Sequence, residues 1–260
     1  MKIPIYQVDA FADRLFAGNP ASVACPPEEL SAAVMQSIAA ENNQPETAFV
    51  FPHKGGFHIR WFSPKVEVAL CGHATLASAH VLFNHRGFSG ETIPFFSQSG
   101  RLQVRKNDEL LVLDFPADPV GAVEQPQELS EGLGIKPIEV YRGKDDYLAV
   151  LSDQKELADL APDMVRLSAL PSRGVIVTAP GREVDFVSRF FAPQIGIDED
   201  PVTGSSHTVL IPYWARRLGK TRLQARQLSA RGGKLTCRDL GERVEIGGKA
   251  VTYLIGEIEI

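Results

Sequence analysis

One sequence pattern occurs twice in this chain, and the repeat is the feature that most constrains its fold. In residues 67–83, EVALCGHATLASAHVLF, an acidic residue precedes a Gly-His turn and a run of small and apolar residues. In residues 199–214, EDPVTGSSHTVLIPYW, an acidic pair precedes a Gly-Ser-Ser-His turn and a second apolar run. The chain therefore uses one local architecture at two places.

The segments around the two patterns repeat in the same order. RWFSP precedes the first pattern and RFFAP precedes the second, while SQSGRLQV follows the first helix and SARGGKLTC follows the second. A stretch rich in Pro, Gly and Glu, residues 116–137, separates the halves. The sequence therefore predicts two related domains of strands and helices, residues 1–117 and 118–260.

Each glycine turn is predicted to open a central helix. The helix after His73 is small or apolar nearly all round, which is typical of a helix buried on every side. Each sheet is therefore predicted to wrap around its own central helix. In the second half, a further helix is predicted over residues 154–168, QKELADLAPDMVRLS.

Composition excludes several classes of function. The net charge is −5 and no basic block occurs, so a nucleic acid partner is not expected. No run approaches the roughly 20 apolar residues of a membrane span, so no membrane partner is expected either. Cysteine is odd in number and scattered, at Cys25, Cys71 and Cys237, which favours free thiols and a cytoplasmic location.

The two helix starts are candidates for anion binding. Gly72 and Gly204 open the central helices, where backbone N–H groups have no partner within the helix and carry a partial positive charge. If the domains pack by a two-fold operation, both helix starts face one cleft that could hold a small carboxylate. The alternative is that these are ordinary capped helix starts.

Acidic and histidine residues near these turns are candidates for the chemistry. Glu46 begins a strand in the apolar segment ENNQPETAFV and could move a proton at carbon, although an exposed strand-end glutamate is the alternative. His73 and Asp200 flank the two turns, and Ser205 could cap the second helix. His80 is predicted to be a buried, hydrogen-bonded histidine.

Cofactor motifs are missing from the sequence. Cys71 and His73 lack a metal-ligand spacing, and neither a GxGxxG motif nor a P-loop occurs. The run at residues 205–207 lacks the strand-elbow signature of a serine hydrolase. The sequence therefore predicts neither a metal nor a nucleotide cofactor.

A resemblance to a known family rests on motifs that span nearly the whole chain. They are QVDAF, FAGNPASV, ENNQPETAFV, RWFSPKVEVALCGHATLA, LDFP, RFFAPQIGIDEDPVTGSSH and QLSARGG. With these motifs the chain resembles the phenazine-biosynthesis PhzF-like isomerase family, which shares the diaminopimelate epimerase fold. The resemblance implies an α+β fold of two pseudo-symmetric domains, each a mostly antiparallel sheet wrapped around a central helix, with the active site in the cleft between them.

The resemblance also implies roles for individual residues. The matching positions are Glu46, His73 and Asp200 as catalytic residues and Gly72, Gly204 and Ser205 as substrate-binding residues. The implied enzyme is a homodimer without a cofactor that isomerises a small carboxylate, as the type member does with trans-2,3-dihydro-3-hydroxyanthranilate. One departure concerns Pro45, where the family usually has serine. Proline removes a backbone donor and fixes φ, so it could change the orientation of Glu46.

Two other functions stay open on the same fold. Racemases and epimerases place two side chains, often thiols, on opposite faces of a carbon, and a related dehydratase of hydroxyproline uses one Cys and one Thr. Cys71 and Thr203 occupy these positions here. The other alternative is a metabolite-binding protein that has no catalytic activity.

Overall fold

The structure, a computed structural model, describes residues 1–260 and contains strands β1–β17, helices α1–α6 and a short 3-10 helix. The strands are β1 Lys2–Ala10, β2 Asn19–Ala24, β3 Glu46–His53, β4 Gly56–Phe62, β5 Glu67–Val68, β6 Thr92–Ser97, β7 Gly100–Asn107, β8 Leu110–Pro116, β9 Gly121–Ala122, β10 Glu139–Arg142, β11 Asp146–Val150, β12 Gly174–Pro180, β13 Phe186–Phe191, β14 Arg222–Gln227, β15 Gly233–Asp239, β16 Arg243–Gly248 and β17 Ala250–Glu259. The helices are α1 Ala32–Asn42, α2 Gly72–Asn84, α3 Gln127–Leu133, α4 Gln154–Ala158, α5 Met164–Ser168 and α6 Gly204–Leu218, and the 3-10 helix is Pro193–Ile195.

The chain divides into two compact units. Unit 1 comprises Met1–Asp114 and Gly247–Ile260, and unit 2 comprises Phe115–Ile246. The last strand, β17, groups with unit 1 because it pairs antiparallel with β1 from Lys2 opposite Glu259 to Ala10 opposite Ala250. The predicted division at residue 117 assigned this C-terminal segment to the second half, so the structure differs there.

The strands of unit 1 form a mostly antiparallel sheet. β1 pairs antiparallel with β2, β2 parallel with β3, β3 antiparallel with β4, β4 parallel with β6, and β6 antiparallel with β7. Each parallel pair needs a crossover connection, and helices α1 and α2 lie in these two connections.

Unit 2 repeats the same succession of pairings. β10 pairs antiparallel with β11, β11 parallel with β12, β12 antiparallel with β13, β13 parallel with β14, and β14 antiparallel with β15. Helices α4 and α5 lie in the first parallel crossover and α6 lies in the second. The sequence repeat therefore corresponds to a repeat of strand pairing and helix position.

Helix α2 is the buried centre of unit 1. It packs against β1, β2, β3, β7 and β17, and nearly every residue from His73 to Leu82 is buried. Two polar residues fit inside this helix because their hydroxyls donate to backbone carbonyls one turn earlier: Thr75 to Cys71 at 2.6 Å and Ser78 to Ala74 at 2.7 Å. The prediction of a helix buried on all sides is confirmed for α2.

Helix α6 has the corresponding place in unit 2. Its Trp214 stacks on Phe186 of β13 with ring centroids 5.7 Å apart, and its indole N–H donates to the Thr178 hydroxyl of β12 at 3.0 Å. The helix continues through Pro212 to Leu218 and ends at Gly219, which has the left-handed conformation of a helix C-cap.

An arginine–glutamate pair precedes the central helix of each unit. In unit 1 the Arg60 guanidinium donates to both carboxylate oxygens of Glu67 at 2.8 Å, and in unit 2 Arg189 donates to both oxygens of Glu199 at 2.7 and 2.9 Å. Bidentate pairs of this kind fix geometry as well as adding energy. The RWFSP and RFFAP landmarks and the acids that open the two patterns are therefore partners in one repeated contact.

The predicted helix over residues 154–168 is wrong in one respect, because it is two short helices. α4 ends at Ala158, and α5 begins after Asp163, whose carboxylate accepts from the backbone N–H groups of Val165 and Arg166. Pro162 between them cannot continue a helix because its ring clashes with the preceding turn.

None of the helices has the length and apolar character that a membrane span requires.

His80 is hydrogen-bonded as predicted, although it is half-buried. Its Nδ1 accepts from the Asn84 amide at 3.0 Å, so its Nε2–H donates to the Thr252 hydroxyl at 2.9 Å, and that hydroxyl is also 2.8 Å from His85 Nε2. Burial and the neighbouring His85 lower the pKa of His80 to about 4, so the ring stays neutral at ordinary pH.

Gly18 lies in the turn before β2, at a position where a side chain would meet the backbone. It has a φ of +66°, and a Cβ there would lie 2.1 Å from the carbonyl oxygen of Ala10, whereas Gly55 has a φ of +83° with open space around it. We expect Gly55→Ala to cost about 1 kcal/mol of unfolding free energy for the left-handed backbone. Gly18→Ala adds a clash with the backbone and is expected to cost about 1–3 kcal/mol more.

Urea unfolding of the two alanine variants measures this difference. Equal losses at Gly18 and Gly55 would contradict the close approach at Gly18.

Candidate active site

Glu46 and His73 form a buried pair in unit 1. Glu46 is the first residue of β3, opposite Ala21 of β2, and His73 is the second residue of α2. The Glu46 Oε2 atom lies 3.1 Å from His73 Nε2, and the two side chains are 13% and 8% exposed. The strand start and the helix start thus bring together two of the predicted catalytic residues, which lie far apart in the sequence.

Asn19 fixes the other side of the His73 ring. The Asn19 side-chain amide nitrogen lies 3.2 Å from His73 Nδ1, so Nδ1 accepts and Nε2–H donates to Glu46 when the ring is neutral. When the ring takes a second proton, a half-turn of the amide presents its oxygen to Nδ1–H. Sequence reasoning did not single out Asn19, although the FAGNPASV motif contains it.

Charge stabilises the protonated form of His73. Burial disfavours the imidazolium, but the adjacent Cys71 sulfur and Glu46 carboxylate outweigh burial and raise the pKa of His73 well above its ordinary value. Burial also raises the pKa of the Cys71 thiol, and the neighbouring His73 opposes this rise.

Cys71 completes a compact group with this pair. Its Sγ lies 3.5 Å from His73 Nδ1 and 3.9 Å from Nε2. One ligand-type atom from each of Glu46, Cys71 and His73 lies within 4.8 Å of the others. The spacing of Cys71 and His73 in the sequence gave no indication of this group, because its third member, Glu46, comes from β3.

In unit 2, a network around Thr203 holds the start of α6. The Thr203 hydroxyl donates to Asp200 Oδ2 at 2.5 Å. The Gln227 amide accepts the Thr203 backbone N–H at 2.9 Å and donates to the Asp200 carbonyl at 2.8 Å. The fully buried Gln227 thus holds one segment that contains Asp200, Gly204 and Ser205. Gln227 is the first residue of the QLSARGG motif, but the sequence gave no sign of its role.

His207 supports the same helix turn from inside. Its Nδ1–H donates to the Thr203 carbonyl at 2.8 Å, and the side chain is fully buried. Burial lowers the pKa of His207 to about 4, so the ring is neutral and its one N–H is the one that donates to Thr203. Ser205, which lies two residues earlier, is partly buried, and its carbonyl accepts the Thr208 hydroxyl at 2.7 Å.

Both central helices begin without a side-chain cap from their N-cap residues. Cys71 precedes Gly72 and Thr203 precedes Gly204, and neither N-cap side chain bonds to the first turn. Neither first turn contains an acidic residue. Backbone N–H groups at such helix starts are suited to an anionic ligand. The prediction that the two helix starts face one cleft stays a prediction.

The α+β fold is shared with an epimerase of known structure. A hydroxyproline epimerase from Agrobacterium vitis, solved with bound trans-4-hydroxy-L-proline, shares the fold with a TM-score of 0.64 at 11% identity, over 99% of this chain and 92% of that one. The predicted α+β fold of the diaminopimelate epimerase type is confirmed.

The family follows from closer similarity. The profile of the family described as "Phenazine biosynthesis-like protein" matches residues 8–256, and the chain belongs to this PhzF-like family. An uncharacterized isomerase of Pseudomonas aeruginosa is 52% identical over 100% of both chains. A PhzF family protein of Enterococcus faecalis, known from its crystal structure, has a TM-score of 0.98 and 49% identity over 100% of both chains. The prediction of a PhzF-like isomerase is confirmed at this level.

Gln227 offers a direct test of the unit 2 network. Gln227→Ala removes the acceptor of the buried Thr203 N–H, and an unsatisfied buried donor costs about 1–3 kcal/mol. We expect that loss in the free energy of unfolding, measured with urea. Gln224→Ala, on the exposed face of the same strand, is the matched control and is expected to change stability by less than about 0.5 kcal/mol. Similar losses in the two variants would contradict the network.

Proposed function

We propose that the protein is a cofactor-independent isomerase that moves a proton within a small carboxylate substrate, with Glu46 as the acid and base. The observation that carries this proposal is the buried contact between the Glu46 carboxylate and His73 Nε2 at 3.1 Å. A carboxylate fixed by one donor keeps its second oxygen for a substrate proton. A single carboxylate can both take and return a proton, so one residue suffices.

The proposed reaction has two steps. In the first step Glu46 takes a proton from carbon, so a C–H bond breaks, an O–H bond forms, and the electron pair moves into the adjacent unsaturated system. In the second step Glu46 returns the proton to a different carbon, and the double bond shifts. The substrate class is an unsaturated carboxylate, and the family resemblance suggests a compound similar to dihydrohydroxyanthranilate.

The other predicted site residues bind the substrate in this proposal. His73 holds the carboxylate of Glu46 through Nε2–H. Gly72 and Gly204 contribute backbone donors at the uncapped starts of α2 and α6, which favour a substrate carboxylate. Asp200 and Ser205 provide polar contacts to the rest of the substrate from the segment that Gln227 holds.

Pro45 fits this arrangement without distorting the strand. β3 begins directly after it, at Glu46, where proline at the preceding position removes no ladder hydrogen bond. The substitution of serine by proline in this chain is therefore compatible with the proposed role of Glu46.

A cytoplasmic homodimer is proposed together with this activity. Cys25, Cys71 and Cys237 are all buried and carry no disulfide, which supports a reducing compartment. For the dimer, Phe16 and Ile255 in unit 1 expose 70% and 63% of their surface, and apolar residues exposed to that extent support contact with a second copy.

Replacing Glu46 by glutamine tests the base. Glu46→Gln keeps the side-chain shape and a contact to His73, so the variant is expected to fold. Loss of a general base lowers the rate by about 10²–10⁴-fold. The measurement incubates the protein with small unsaturated carboxylates, including dihydrohydroxyanthranilate, in heavy water and follows isomerisation and deuterium uptake at carbon. No exchange with any carboxylate would favour a metabolite-binding protein.

Cys71→Ser, measured beside it, separates the isomerase from the racemase or dehydratase alternative. Those alternatives need a reactive thiol, but burial raises the pKa of Cys71, and the Thr203 hydroxyl already donates to Asp200. We expect Cys71→Ser to retain most of the exchange. A serine variant that binds the substrate without turnover, with an active Glu46→Gln, would overturn the isomerase proposal.

A further inference from the structure

The group of Glu46, Cys71 and His73 contains the donor types of a zinc site. A carboxylate oxygen, a thiol sulfur and an imidazole nitrogen lie within 4.8 Å of one another. Carboxylate, thiolate and imidazole are the three ligand types that Zn²⁺ takes in proteins, and three protein ligands with one open position are typical of an accessible zinc site. These residues come from two separate elements, the start of β3 and the start of α2.

The distances show which of the three ligands has to move. Two ligands of a tetrahedral zinc ion, each about 2.0–2.3 Å from it, lie about 3.3–3.7 Å apart. The observed distances are 3.1 Å between Glu46 Oε2 and His73 Nε2 and 3.9 Å between Cys71 Sγ and the same nitrogen. The Glu46–His73 pair is therefore within a few tenths of an ångström of coordination distance. Cys71 Sγ lies closer to Nδ1, at 3.5 Å, than to Nε2, so the thiol must rotate toward the Nε2 side of the ring to share the ion.

The surroundings also suit a coordinated histidine. A zinc-bound imidazole donates its second N–H to an oxygen, which fixes the ring. When Nε2 binds the ion, Nδ1–H faces the Asn19 side-chain amide at 3.2 Å, and a half-turn of that amide presents its oxygen. Cys71 and His73 are 7% and 6% exposed, so the ion would be held in a largely buried setting.

We propose that Glu46, Cys71 and His73 bind one Zn²⁺ ion and that bound zinc inhibits the enzyme. Binding forms a Zn–S bond as the S–H bond of Cys71 breaks, and a Zn–N bond as the Nε2–H bond of His73 breaks. Both protons pass to solvent, and the ring keeps its proton on Nδ1. The ion also binds Glu46 Oε2 and His73 Nε2, and this replaces the contact that holds the Glu46 base in place. This zinc is an inhibitor and takes no part in the proposed isomerisation.

The first test measures binding alone, so it does not depend on the proposed reaction. The full-length protein, freed of metal with a chelator, is dialysed to equilibrium against Zn²⁺, and Co²⁺ is used as a spectroscopic probe. We expect one equivalent of metal and a thiolate-to-cobalt charge-transfer band. Mg²⁺, which prefers oxygen ligands, is expected not to compete.

Matched variants assign the site. Cys71→Ser and Glu46→Gln are each expected to weaken zinc binding by about tenfold or more, and Cys71→Ser is expected to lose the cobalt band. Cys25→Ser, at another buried thiol of unit 1, is expected to bind as the unchanged protein does. His80→Gln removes one ring of the His80–Thr252–His85 cluster and is also expected to have no effect.

Three results would overturn the proposal. They are the absence of saturable binding, an unchanged affinity in Cys71→Ser, and loss of binding in His80→Gln, which would move the ion to the other histidine cluster. If binding is confirmed, zinc is expected to suppress deuterium uptake into the substrate and a chelator to restore it. Zinc binding without inhibition would overturn the inhibitory role only, and would leave the proposed isomerase to its own tests.

Discussion

A buried helix must still satisfy the backbone N–H groups of its first turn, and this constraint governs the site in each unit. α2 is buried within unit 1 and α6 packs on the strands of unit 2, and their N-cap residues, Cys71 and Thr203, do not cap them through side chains. Donors left open at the end of a helix carry a partial positive charge and attract anions. An anionic group is therefore bound more favourably at these first turns than elsewhere in the unit.

The contacts before each helix fix where that first turn lies. Arg60 with Glu67 and Arg189 with Glu199 each make a bidentate pair on the segment that leads to the glycine. In unit 2 the Gln227 amide adds a second restraint, from β14 to Thr203. Polar side chains that are buried and fully engaged hold a unique geometry, and such geometry is a requirement for proton transfer at carbon.

The repeat made most of this architecture predictable. Glycine turns followed by apolar helices, and the RWFSP and RFFAP landmarks, indicate two related units. Local patterns could not show the partners of the site, because Asn19 of β2 and Gln227 of β14 reach it by long-range packing of strands. The break at Pro162 was visible in the sequence, but the apolar spacing on both sides favoured one helix. The pairing of β17 with β1 depends on register between the two ends of the chain, which no local pattern specifies.

The central claim is that Cys71 and the Glu46 carboxylate together hold His73 in its charged form, and NMR titration of the His73 ring tests it most directly. With the carboxylate present, the pKa of His73 is expected well above the ordinary value of about 6.5 for histidine. Such a pair stabilises the folded protein fully below about pH 6.5, and this stabilisation is lost as the pH rises through the folded-state pKa. In Glu46→Gln, the lowering effect of burial on the pKa of His73 is opposed less, so the pKa of His73 is expected to fall. An unchanged pKa in Glu46→Gln, or a pKa at or below the ordinary value in the unchanged protein, would contradict the account.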